Sequence, residues 1–289
     1  DAWFLYETSS IPYYEQCARL CEEFAHFFNT LITGHDARGM GKVDYWVSRY
    51  LTHAENVRRG IKFIEQAGDY MPTLDFLSSP AADFRGLVEN AFGYAVWDEW
   101  KLKFEPLGSS CRVGAGTLRN NEWAGQYWAN RERHRHEYEL VDRDDSYVGD
   151  LAATIESVAK DGLIKPPANY PRHTIDRAVQ CKPGERCPRT GVWVPEQWLN
   201  GAKDFSLAFC IEGRPMQPAY RILGYEVVDS WGDYDKPLDE HGKRPGSVKE
   251  PGGLVTRAED TTWYYVHNAE AASADVQVER QSVGLRVES

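Results

Sequence analysis

The sequence predicts an α+β protein: an N-terminal antiparallel helical bundle over residues 1–162, then a small antiparallel β-sheet region with long loops over 163–289, packed on the bundle. Two observations carry this. Apolar residues recur at spacings of three and four through the first half, and they alternate with polar ones after Gly162. A proline cluster, Pro166, Pro167 and Pro171, interrupts any helix at the changeover and marks a connector.

Taken in order, Ser9 or Ser10 supplies a cap for a first helix with Pro12 in its opening turn, where a missing N–H costs nothing. Cys17, Leu20, Cys21, Phe24, Phe27, Phe28 and Leu31 form its apolar face, and Gly34 is a natural stop. A second helix carries Val43, Val47, Tyr50, Ala54, Val57, Ile61 and Ile64 as one seam that ends at Gly68. The third, over 81–104, is apolar on more than one face (Phe84, Leu87, Phe92, Trp97, Trp100), which predicts the buried central helix. Glycines over 108–116 read as a break. A fourth helix is expected over 122–140, and a fifth with Leu151, Ile155, Val158 and Ala159. Short connections between such helices make a bundle. In the second half, strands are expected at 191–194, 207–211, 220–228, 262–266 and 276–287, with a long Pro- and Gly-rich loop over 237–253.

The chemistry that can be sought in the sequence is thin. Gly34 and Gly39 have phosphate-loop spacing, but Met40 stands where lysine is required. Gly114 and Gly116 lack the third glycine of a dinucleotide fingerprint. His134 and His136, two apart, point to different helix faces and read as part of a solvated charged run. Cys181 and Cys187 bracket a turn, and no second Cys/His pair nearby completes a four-ligand site, so two packed thiols are the favoured reading. No catalytic residue, cofactor or metal is therefore expected. The alternative is a metal-dependent hydrolase assembled from distant residues such as His173, Cys181 and Cys187; a further one is an adaptor protein.

Charge and aromatics point instead to a protein partner. A net charge of −11 disfavours phosphate backbones and favours a basic protein surface. No run of about 18 uncharged apolar residues exists, so no membrane partner is expected. The stretch Asp229, Trp231, Asp233, Tyr234 and Asp235 sets aromatic anchors among carboxylates, the composition expected of a docking loop, and Trp193 and Trp198 extend the same logic. Six scattered cysteines suit a reducing compartment, hence a cytoplasmic location, with a periplasmic one left open.

The segment Cys187-Pro188-Arg189-Thr190-Gly191-Val192-Trp193 resembles a C-P-x-[ST]-G-x-W signature. The opening Tyr6-Glu7-Thr8-Ser9-Ser10, the stretch Gly213-Arg214-Pro215-Met216 and the strand Thr262-Trp263-Tyr264-Tyr265-Val266 agree with it in character. Together they are similar to the immunity protein 71 and 72 families of bacterial polymorphic toxin systems. That resemblance implies a chain that binds and neutralises a cognate toxin, often one delivered by type VI secretion and possibly a nuclease, by blocking its active site.

Overall fold

The computed structural model describes residues 2–32, 43–83, 94–118, 151–160, 162–202, 204–229, 237, 240 and 249–269. Helices α1 (Ala2–Thr8), α2 (Ile11–Ile32), α3 (Val43–Ala67), α4 (Met71–Asp83), α5 (Tyr94–Leu118) and α6 (Leu151–Lys160) precede β1 (Ile175–Cys181), β2 (Gly191–Pro195), the short α7 (Glu196–Leu199), β3 (Ala208–Cys210), β4 (Ala219–Asp229), β5 (Lys249–Glu259) and β6 (Trp263–Val266). The architecture is α+β, as expected. The helix expected over 122–140 and the strand expected over 276–287 lie outside the described residues. No helix among the described residues is long and apolar enough to cross a membrane.

Local signals explain the first elements. Ser10 Oγ accepts the Tyr13 N–H at 3.3 Å, the side-chain bond of a helix N-cap, with Pro12 inside the first turn of α2. The seam of α3 is buried at Tyr50, Ala54, Val57, Ile61 and Ile64. Gly68, at φ +65°, ends it by donating its N–H to the Ile64 carbonyl at 2.8 Å. Phe24 ties three helices together, its ring centroid 4.6 Å from Tyr50 of α3 and 5.5 Å from Phe104 of α5. Arg58 of α3 reaches both Glu15 (2.8 Å) and Glu22 (2.9 Å) of α2 at the surface.

The central helix differs from the expectation. Of the helix expected over 81–104, residues 81–83 close α4 and residues 94–104 open α5, with 84–93 outside the described residues; α5 then runs on to Leu118, through the glycines that read as a break. Every residue from Val113 to Leu118 is buried. A glycine costs an isolated helix about 1 kcal/mol, but here it lets neighbours approach. A Cβ on Gly114 would stand 3.1 Å from Leu77 Cδ1 of α4 and 3.2 Å from Tyr13 Cε1 of α2. The Gly-rich stretch is thus a slender, closely packed segment of helix rather than a linker.

The sheet order is β1-β6-β2-β3, all antiparallel, beside a separate β4-β5 ribbon. The ribbon places strand β5 where a long loop was expected. Its Pro251 pairs with Val227 next to a register irregularity, a site where a missing N–H is tolerated. Alternation along the four-stranded sheet divides its side chains between two cores. Val192, Val194, Phe209 and Val266 join the core of the helices. Trp193, Ala208, Cys210, Trp263 and Tyr265 face the other way, into a second core with Cys181, Cys187, Phe205 and Met216. The sheet therefore lies on the bundle, and Tyr70, just before α4, meets Phe209 of β3 edge-on at 5.7 Å.

Candidate functional site

The second core is closed by two interlocked turns, one over 182–190 and one over 211–217. Gly184 N–H donates to the Met216 carbonyl, Met216 N–H to Glu185, Cys187 N–H to Arg214 and Gly213 N–H to Cys187, each at 2.8 Å. Gly184 and Gly213 take φ of +82° and +77°, which suits a residue without a Cβ. The signature residues find structural employment here. Thr190 Oγ1 accepts the Glu212 N–H at 2.9 Å, Cys187 Sγ lies 3.1 Å from the Arg189 carbonyl, and Trp193 has no accessible surface. The motif is therefore a folding device.

All six cysteines are unbridged and buried. Contact with the Cys210 thiol, then burial, pushes the Cys187 thiol well up. Burial, followed by the neighbouring Cys187 and Glu185, pushes Cys181 up to about 11. In the helical core, contact with Cys111 and then burial raise Cys21. Thiols held protonated and enclosed react slowly. A chromogenic disulfide reagent is expected to label fewer than about one thiol per native chain within minutes, and all six after denaturation. Two or more fast-reacting native thiols would contradict this packing.

A different site emerges where the bundle meets the sheet, in a cleft of about 420 Å³. Trp3, Tyr6, Glu7 and Ser10 form one wall, because steps of three and four place them on one face of α1 and its continuation. Pro167, Asn169, Pro171 and His173 form the opposite wall, because an extended, proline-stiffened chain presents every second side chain to one side. Asn268 and Ala269, just past β6, close the end.

The cleft is held in shape by hydrogen bonds to sheet backbone. Tyr6 Oη donates to the Val266 carbonyl and accepts the Val192 N–H (3.3 Å), pinning α1 to β6 and β2. Burial, reinforced by Tyr265, holds the Tyr6 phenol well above its usual range, so it stays a neutral donor. The Tyr6 ring stacks on His173 at 5.9 Å, and Trp3 meets Tyr170 edge-on at 5.3 Å. Tyr170 is 54% exposed, whereas Trp3 is half-buried against the core of the helices. His173 Nδ1 lies 3.0 Å from the His267 carbonyl. A carbonyl only accepts, so Nδ1 carries the hydrogen and Nε2 of the neutral ring presents a lone pair. Nε2 is buried without a hydrogen-bond partner among the described residues. Glu7 is the one formally charged side chain among the described residues lining the cleft.

No family model, curated protein or solved structure matches this chain. Its own geometry must carry the functional argument.

The structure redistributes the residues expected to form a docking surface. Trp193 is a correction: it lies in the second core with no exposed face, because it sits on the sheet side opposite Val192 and Val194. Trp198, on α7, is half-buried and packs against the helical core. Asp229 ends β4, in register with Lys249 of β5. Trp231, Asp233, Tyr234 and Asp235 lie outside the described residues, as do His134 and His136. The hydrolase alternative named His173, Cys181 and Cys187 among the residues that could build its site. His173 lies in the cleft and the two thiols in the second core, and no group of three or more His, Cys, Asp or Glu with metal-binding geometry occurs among the described residues. The cleft was missed because its walls are more than 150 residues apart in sequence. The alternate spacing of Pro167, Asn169, Pro171 and His173 was its one local signal.

Proposed function

We propose that this chain works by binding a protein partner, and that it is an immunity-type protein that captures a cognate bacterial toxin and blocks its active site. One observation carries the reading most directly: the exposed Tyr170 ring meets Trp3, which is half-buried and lines a cleft whose walls are fixed by hydrogen bonds to the sheet. Aromatic anchors in a pre-shaped recess give large contact area at little ordering cost, which is how binding hot spots work. The charge of −11 adds long-range attraction for a basic partner, a nuclease being the natural one. The short signature of residues 187–193 suggests the immunity protein 71 and 72 families, and hence a toxin delivered by type VI secretion. Cytoplasmic residence belongs to the same proposal.

The test is co-purification with the product of the adjacent gene, together with rescue of growth when that product is expressed. A stable complex is expected, with association slowed by added salt. The substitution Tyr170→Ala, at the exposed ring, is expected to weaken it by about 1.4 kcal/mol, roughly tenfold in Kd, with stability little changed. Full affinity in that variant would move the docking face elsewhere. Absence of both a complex and growth rescue would remove the toxin reading.

A further inference from the structure

We infer that Cys187 and Cys210 form a redox-controlled disulfide site, where a low-molecular-weight disulfide such as oxidised glutathione links the two turns that close the second core. The inference is independent of what the chain binds. Cys187 lies in the turn over 182–190, and Cys210 ends β3 just before the turn over 211–217. Backbone pairing brings them together. β2 and β3 set Gly191 opposite Cys210, and beyond that pair the Cys187 N–H donates to the Arg214 carbonyl while the Gly213 N–H donates to that of Cys187. Both side chains turn into the same core, 1% and 0% exposed, and there the thiols are in contact. A disulfide tolerates little error in length or torsion, so it forms where two side chains already converge on fixed backbone.

The other thiols offer no equivalent pair. Cys181 shares the core, but its sulfur faces its own loop, 3.7 Å from the Lys182 carbonyl, 3.8 Å from that of Glu185 and 3.7 Å from that of Arg186. In the helical core, Cys111 of α5 is shared between Cys17 and Cys21 on successive turns of α2, so no single partner is singled out.

The chemistry is two successive exchanges. One cysteine thiolate attacks a glutathione sulfur, the glutathione S–S bond breaks, and one glutathione leaves as its thiolate. The second cysteine thiolate attacks the cysteine sulfur of the mixed disulfide, the protein S–S bond forms, and the second glutathione leaves. The two cysteines together give up two electrons and two protons, and two glutathione thiols take them up. In the closed core the Cys187 thiol is held protonated and out of reach, so the oxidant enters only when the turns part. Local opening is therefore the gate, and the new bond closes it by tying the ends of the segment over 188–209.

The experiment holds the reduced full chain just below its melting temperature with oxidised and reduced glutathione, then quenches with acid and unfolds it. Two of the six thiols are expected to be lost. Peptide mapping without reductant is expected to join the peptide holding Cys187 to the one holding Cys210. The linked chain should melt about 5 °C higher, because the bond restricts the unfolded state, and dithiothreitol should reverse the shift. Cys181→Ala is expected to leave the loss of two thiols unchanged, and Cys210→Ala to abolish it. If Cys210→Ala does not fold, the peptide map of the parent chain decides alone. Six thiols still free, a glutathione adduct with no internal bond, a bond between any other pair, or a linked chain that melts no higher than the reduced one would each overturn the inference.

Discussion

Trp193→Ala is expected to lower the unfolding free energy by about 3–5 kcal/mol, the range for emptying a large aromatic site in a core. The ring has no accessible surface, meets Tyr265 edge-on at 5.4 Å and lies in the small core behind the sheet with Trp263 and Cys210. Among the described residues the turns over 182–190 and 211–217 close that core, and backbone hydrogen bonds tie the two turns together. A protein with a stability of about 5–15 kcal/mol would lose a large share of it. The indole Nε1 has no hydrogen-bond partner among the described residues. Removing such a donor returns part of its desolvation cost, about 1–3 kcal/mol, so Trp193→Phe is expected to be much milder than Trp193→Ala. Urea denaturation followed by circular dichroism measures both. A Trp193→Ala variant within 1 kcal/mol of the parent would place the ring outside the core, and with it restore the surface reading of this tryptophan.

That contrast shows where sequence reasoning had purchase. The steps of four and three from Tyr50 to Ile64 identified α3 and its stop at Gly68, because amphipathic periodicity and a left-handed terminus are local properties. Strands β2, β3, β4 and β6 were legible for the same reason. β1 was not: it is a partly exposed edge strand, and Asp176 Oδ1 accepts the N–H groups of Ala178 (2.9 Å) and Val179 (3.3 Å) at its bulge, so no alternation survives. β5 was hidden by Pro251 and its glycines, which signal a loop unless a partner strand overrides them.

The glycines of α5 were misread on the same local grounds. Their role depends on Leu77 and Tyr13, residues that the sequence does not place beside them. Trp193 failed similarly, since alternation says that β2 has two faces without saying that both are covered. The cleft was the least legible feature. Tyr6 belongs to the opening helix, His173 to the connector and Val266 to the last described strand, and only the packing of α1 on the sheet joins them.

Gly191 is where that joint is most exposed to a single substitution. Its φ is +148°, a backbone region costly for any residue with a side chain. A Cβ there would also stand 2.8 Å from Tyr265 Cε2, 2.9 Å from Tyr265 Oη and 3.1 Å from Tyr6 Oη. Gly191→Ala therefore combines about 1–3 kcal/mol of backbone strain with about 1–3 kcal/mol of overpacking. The displaced group on the bundle side is the Tyr6 hydroxyl, which bridges the Val266 carbonyl and the Val192 N–H. The expected result is thus a loss of about 2–6 kcal/mol, with α1 loosened from the sheet and partner binding weakened together with stability. Tyr6→Phe isolates the second component, because it deletes the bridge and one of the three close atoms. The double variant Gly191→Ala with Tyr6→Phe should then lose less than the sum of the two single changes, a coupling measurable by denaturation of all four proteins. Strict additivity would mean that Gly191 acts on Tyr265 and its own backbone alone. The wall of the cleft would then be held independently of the signature turn.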